Sequence, residues 1–331
     1  MKSSPSERKW LPLGIASLAL AMMACTPTAP AQDFPTRPAR FIVPFAAGGG
    51  ADLNARRLAQ RLEKIWKQPV IIQNMGGGGG NVAAVAVANS EPDGYTMFFA
   101  SLPIFVINPV IYGKLPFDPD RDFAPVVLMS ETPHVLTVTT TFKATTLAAL
   151  IALAKERPGA LNFGSGGQGT SQHLAGELLK SVAGIDLVHV PYKGAAPAIA
   201  AMMGNEIQML FDNASSALGH IRGGRLRGLA IASKKRAPAL PQVPTFAEGG
   251  VANFYTSIPY GIFVRSGTPP AIIATLNRSL NAVFKDPGYS NQLTAIGMNL
   301  EGGAPEALTA FIREERKKWL PLIKSSKIKA N

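Results

Sequence analysis

The chain has a single cysteine, Cys25, among 331 residues, and only four histidines. So few thiols exclude a disulfide framework and any zinc site built from several cysteines. Charged residues are scarce too, 16% against 47% hydrophobic, which excludes an intrinsically disordered chain. No internal repeat and no long low-complexity tract is present. Beyond the leader described below, no apolar run is long enough to span a bilayer. Carboxylates are the scarcer charge, 21 against 33 Lys and Arg, for a formal charge of +12. That balance raises nucleic acid as a partner. The basic residues are scattered, however, and the one dense cluster, Arg313 to Lys318, is broken by Glu314 and Glu315. No zinc-finger, basic-zipper or RNA-binding signature accompanies them, so nucleic acid is not expected. A basic surface also concentrates anionic ligands.

What is present begins with an export leader. Lys2, Arg8 and Lys9 form a positive n-region, and Trp10 to Ala24 is apolar but too short to span a bilayer comfortably. Small residues follow, ending in Ala29-Pro30-Ala31 before Gln32, so residues 1–31 read as a signal peptide cleaved after Ala31. Cleavage there removes Cys25 and leaves a basic mature chain without thiols. The alternative makes Cys25 a lipid-modified N-terminus, although Met22 stands where such sites usually carry Leu.

The length allows two domains, each with its own core. The 27 prolines and 32 glycines have no period and punctuate many short elements. Arg40 to Phe45 reads as a strand, Ala46 to Gly50 as a glycine loop, and Ala51 to Lys67 as a helix. That helix carries Leu53, Leu58, Leu62, Ile65 and Trp66 on one side, with Asp52 in its first turn. Strands over Val70 to Gln73 and Thr96 to Ala100 flank a helix over Asn81 to Asn89. This alternation predicts a parallel sheet covered by helices. Phe123 to Thr139 is a long extended region, interrupted by Pro133, that suits a strand crossing between lobes. Alternation then resumes, with helices over 147–157, 170–183, 195–203 and near 216–221, and strands over 161–163, 187–190, 207–211 and 226–232. A strand starting at Tyr260 and helices over about 270–284 and 305–324 finish the chain.

Two loops are chemically informative. Pro44 to Asp52 feeds a helix through Gly48, Gly49 and Gly50, and Gly164 to Ser171 does the same through Ser165, Gly166, Gly167, Gln168, Gly169 and Thr170. Such loops expose unpaired N–H groups at the positive end of a helix, which suits a carboxylate as well as a phosphate. Each alone equally suits an ordinary tight turn. Gly76 to Gly80 fails the nucleotide tests: no Gly-Lys-Ser/Thr follows, and Asn81 stands where a dinucleotide fingerprint needs its last glycine. It reads as a flexible turn. Ser165 sits in a stretch like a nucleophile elbow, but Phe163 replaces the first glycine. His173 and Glu177 have metal-compatible spacing without an evident third ligand, and no cofactor or metal is expected.

Several segments, taken in order, resemble the Bug family, the extracytoplasmic receptors of tripartite tricarboxylate transport systems. They are Phe34 to Pro38 leading into Phe41 to Phe45 and Gly48-Gly49; Pro92 to Thr96; Leu115 to Pro119 with Asp122-Phe123; Gly169 to Glu177; His189 to Gly194; Gly224 to Arg227; and Pro241 to Thr245. One departure is Asn74-Met75-Gly76 to Asn81, where many members carry an Arg-Pro-Gly-Ala-Gly-Gly-Asn type stretch. The resemblance implies a type II periplasmic-binding (Venus flytrap) fold of two α/β lobes joined by crossing strands. Lobe one would comprise residues 32–132 plus 254–331, and lobe two residues 133–253. It also implies a ligand carboxylate held by backbone N–H groups and waters. The contacts would come from Phe45, Ala46, Ala47, Gly48, Gly49 and Asp52, with Ser101. Lobe two would add Ser165, Gly166, Gly167, Gln168, Gly169 and Thr170, with Asp212. The expectation is therefore a monomeric binding protein for a small carboxylate, serving permease subunits in the membrane. The alternatives are a secreted hydrolase-like enzyme using Ser165 or His173, and a ligand-sensing lobe for a signalling partner.

Overall fold

A computed structural model describes residues 34–326 together with Met1 and Lys2, without the side chains of 322 and 324–326. The expected leader, its cleavage point after Ala31 and Cys25 lie outside the described residues. The body considered below begins at Pro35.

Strand β1 (Ala39–Val43) is almost wholly buried and ends at the glycine loop. Helix α1 (Gly50–Trp66) follows, opened by an extended Gly49 and closed by Lys67 in the left-handed region. Its buried face is Ala51, Ala55, Leu58, Ala59, Leu62 and Trp66. Ile65, expected on that face, is 48% exposed: in the last turn of the helix it falls about 20° beyond Leu58, just outside the edge of the buried apolar stripe. Strand β2 (Val70–Asn74) leads through a short 3-10 turn at Gly78–Gly80 into helix α2 (Asn81–Ala88), and β3 (Thr96–Ser101) follows. Two short helices not anticipated from periodicity, α3 (Pro103–Val106) and α4 (Asn108–Ile111), carry a proline at their first and second position respectively, where its fixed φ suits a first helical turn.

The 17-residue strand β4 (Phe123–Thr139) organises the rest. From Phe123 to Pro133 it pairs antiparallel with β9 (Ser257–Arg265). From His134 onward it lies between β7 (Met209–Asn213) and β8 (Leu226–Ile231). The handover falls at Pro133, a residue with no N–H to give to a ladder. The remaining elements are α5 (Leu147–Glu156), β5 (Asn162–Ser165), α6 (Ser171–Ala183), β6 (Val188–Pro191), α7 (Ala195–Met203), α8 (Ala214–Arg222), α9 (Pro270–Lys285), α10 (Pro287–Ala295), β10 (Asn299–Leu300) and α11 (Pro305–Ser326). The sheet order is β2-β1-β3-β9-β4-β7-β5-β6, with β8 and β10 also on β4. Strands β2-β1-β3 are parallel, as are β6-β5-β7, while every pairing of β4 and β9 is antiparallel.

The two ends of this sheet carry separate cores. One gathers Phe98, Phe105, Phe123 and Phe263, with Phe105 and Phe263 stacked at 4.2 Å. The other gathers Phe163, Phe211, Phe246 and Phe254, with Phe246 and Phe254 stacked at 4.1 Å. No helix among the described residues is long and apolar enough to cross a membrane.

Candidate ligand-binding site

The strand–loop–helix units of both ends aim their helix N-termini at one place. A cavity of about 30 Å³ is lined by Gly49, Gly50 and Ala51 at the start of α1, Thr170, Ser171 and Gln172 at the start of α6, Ala195 at the start of α7, and Asn213, the N-cap of α8. Phe45, Ser101, Ile258 and Tyr260 complete the wall. The first turn of a helix has N–H groups without intrahelical acceptors and carries partial positive charge. Four such turns around one small space form a concentrated field of fixed dipoles. No Lys or Arg lines it.

Of the residues singled out from sequence, Phe45, Gly49, Ser101 and Thr170 line this cavity. Ala46, Ala47, Gly48, Asp52, Ser165, Gly166, Gly167, Gln168, Gly169 and Asp212 do not. The reason is visible in their hydrogen bonds. The Gly48 amide donates to Asp52 Oδ2 at 2.9 Å, and the Ala46 amide to the Lys193 carbonyl at 2.9 Å. In the second loop the Gly166 amide donates to Gln172 Oε1, the Gly167 amide to Ser165 Oγ, the Gly169 amide to His173 Nδ1 and the Thr170 amide to the Gly167 carbonyl. These loop amides hold the loops in shape instead of facing the cavity, and the free donors lie one turn later, in the helices.

Asp52 is buried, which by itself pushes its carboxyl upward. Hydrogen bonds from Arg56, the Gly48 amide and Asn74, with the charge of Arg56, outweigh that and hold it below the ordinary range. It is a brace for the first loop. Asp212 differs: it accepts from the Asn213 amide and Ser216 Oγ, while its Oδ2 has no partner among the described residues. Burial dominates those hydrogen bonds and raises its carboxyl to about 7. Asp212 sits behind Asn213, whose Nδ2 donates to Tyr260 Oη at 2.9 Å. The Ser101 hydroxyl bonds to no described residue and remains available.

The Ser165 hydroxyl lies 2.6 Å from His189 Nε2, a spacing seen in nucleophile–base pairs. Here Ser165 is fully buried and also bonds the Gly167 amide and carbonyl. Burial, with the charges of His173 and Lys180, lowers His189 to about 3, so it is a poor base at neutral pH. The pair fastens the loop. His173 and His189 stack at 3.9 Å behind it. Among the described residues no group of His, Cys, Asp and Glu could hold a metal ion.

The Gly76 to Gly80 run, read from sequence as a merely flexible turn, packs against the second loop. A Cβ on Gly79 would overlap the Gln168 carbonyl, and one on Gly76 would lie 2.7 Å from the Lys193 carbonyl. Gly194 likewise lets Ala46 approach, since a Cβ there would stand 2.9 Å from the Ala46 amide. Glycine at these positions allows backbone to meet backbone around the cavity. Gly50, Ala51 and Ser171 fell inside the two loops read from sequence without being named as contacts, and Gln172, Ala195, Asn213, Ile258 and Tyr260 were not named as site residues. The signal that would have found the first five is general: a residue one turn into a helix behind a glycine loop.

Residues 54–328 match the profile of the Tripartite tricarboxylate transporter family receptor. The chain belongs to that family. BugT of Bordetella pertussis is 33% identical over 95% of this chain and 97% of its own. An R. palustris protein solved with adipate superimposes with a TM-score of 0.86, at 33% identity, over 89% of this chain and 99% of its own. MatC from Rhodopseudomonas palustris, solved with bound malate, gives a TM-score of 0.80 at 31% identity, over 86% of this chain and 98% of its own. The tripartite receptor therefore has the two-lobed periplasmic-binding fold. Its family and its structural neighbours are periplasmic solute-binding receptors, not enzymes.

Proposed function

We propose that the protein captures a small organic carboxylate in the cavity between two lobes, residues 32–132 plus 254–331 and residues 133–253, and hands it to membrane subunits of a tripartite transporter. The observation that carries this reading is the meeting of four helix N-termini on one cavity without a cationic side chain. Fixed dipoles stabilise an anion without the desolvation cost of a buried Arg or Lys. Ser101 and the Gln172 amide supply further donors, and Tyr260 and Ile258 shape the space. The loops holding Ala46 to Gly48, Asp52 and Ser165 to Gly169 act as braces that fix the helix starts. Adipate and malate in two neighbours support a carboxylate as the ligand.

The cavity, at about 30 Å³, has room for about one water, so the geometry is that of a shut clamp. Capture requires the lobes to part about the crossing strands β4 and β9 and close again. We further infer that the receptor acts as a monomer and reaches the periplasm through a leader cleaved after Ala31. Heating the mature protein with millimolar organic acids tests the ligand class. At least one mono- or dicarboxylate should raise the melting temperature, whereas a panel with no effect would overturn the reading.

A further inference from the structure

A second charged groove lies on the other side of α1, away from the cavity. It encloses about 450 Å³ and is lined by Arg57, Arg61, Lys64 and Gln60 from α1, with Glu63, and by Tyr289 and Gln292 from α10. Arg61 is paired, its guanidinium donating to Asp286 at 3.0 Å. Glu63 accepts from the Val70 amide at 3.0 Å. Arg57 has no carboxylate partner among the described residues: its only hydrogen bond goes to Asn54 Oδ1 at 3.1 Å. It is nevertheless half-buried, and that burial lowers its guanidinium from the ordinary value. Lys64 is likewise without a carboxylate partner among the described residues. Between them Tyr289 is 1% exposed, and its hydroxyl is buried without a hydrogen-bond partner among the described residues. A buried phenol without a partner and a half-buried guanidinium whose one acceptor is a neutral amide both favour a further oxygen acceptor.

We propose that this groove is a second anion site, separate from the carboxylate cavity, which takes a phosphate-type oxyanion on Arg57, Lys64 and Tyr289. A dianionic tetrahedral group matches two unpaired cations and accepts from a guanidinium fork, an ammonium and a phenol at once. Free phosphate and the headgroup of an anionic phospholipid share that chemistry.

Calorimetric titration of the protein with inorganic phosphate, and co-sedimentation with phosphatidylglycerol vesicles against phosphatidylcholine vesicles, distinguish the two sources. Arg57→Gln should weaken whichever is bound by about tenfold or more, and Tyr289→Phe should weaken it several-fold. Because the phenol has no partner to lose, Tyr289→Phe should melt no lower than the parent in the absence of phosphate, which keeps a folding defect apart from a binding one. Any organic acid that stabilises the parent should stabilise both variants equally. Phosphate binding alone identifies a soluble ligand, and vesicle binding alone identifies a membrane contact. Binding of neither probe, or binding that survives both substitutions, would overturn the proposal.

Discussion

The amide of Ala46, behind β1, donates to the carbonyl of Lys193, behind β6, at 2.9 Å. Two loops far apart in sequence, each leaving a parallel strand, thus share a backbone hydrogen bond at the edge of the cavity. Their approach depends on residues without side chains. At Gly50 a Cβ would stand 2.5 Å from Asn213 Cβ and Cγ.

Gly50→Ala should therefore prop the lobes apart without harming α1, since Ala is about 1 kcal/mol better than Gly inside a helix. The expected result is a melting temperature equal to or above the parent's without ligand, with carboxylate affinity reduced about tenfold or more. Calorimetry on both proteins checks this. Unchanged affinity would mean that closure does not bring α1 against Asn213.

The loop-fastening histidines set an acid limit. Burial first, then Lys180, lowers His173 to about 4, and burial lowers His189 to about 3 with help from His173 and Lys180. Folded values below the ordinary 6.5 mean that the neutral rings are favoured in the native state. Their contribution is complete above about pH 6.5 and is lost as pH falls toward 4 and 3. His134, fully buried and lowered to about 3, adds to the same trend. Chemical unfolding between pH 7 and 4 should show stability falling. In His189→Asn that fall should be shallower, with about 1 kcal/mol lost at pH 7 because Ser165 loses one of its three hydrogen bonds.

Asp212 gives the opposite slope. Its carboxyl is raised to about 7 by burial, so its neutral form is favoured in the folded state; that contribution is complete below about 3.8 and lost as pH rises through about 7. An ionised Asp212 behind Asn213 and Tyr260 would also repel a bound anion. Carboxylate affinity should fall between pH 6 and 8.5 in the parent and stay flatter in Asp212→Asn. Titrations at three pH values would show it, and a parallel fall in the variant would count against this role.

Much of the architecture was legible because periodicity and punctuation agree locally. β4 reads as one extended run from Phe123 to Thr139, and α6 starts one residue after the Thr170 cap that closes the glycine loop. The short helices α3, α4 and α10 were not legible, since four to nine residues carry too little period. Within the site, the glycine loops mark the right corner of the fold. Sequence does not tell which amides are spent inside a loop: the acceptors Gln172 and His173 depend on side-chain rotamers at the start of α6, and Lys193 reaches Ala46 only through tertiary packing. Tyr260 and Asn213 are the clearest case: 47 residues apart, they meet only when β9 and β7 lie either side of β4.

A crystal structure of the mature protein with whichever organic acid most raises its melting temperature tests the central claim most directly. The ligand's carboxylate oxygens should lie about 2.7–3.2 Å from first-turn amides of α1 and α6, with no Lys or Arg side chain in contact. A carboxylate bound by cationic side chains, or seated in the Arg57 and Tyr289 groove, would contradict it.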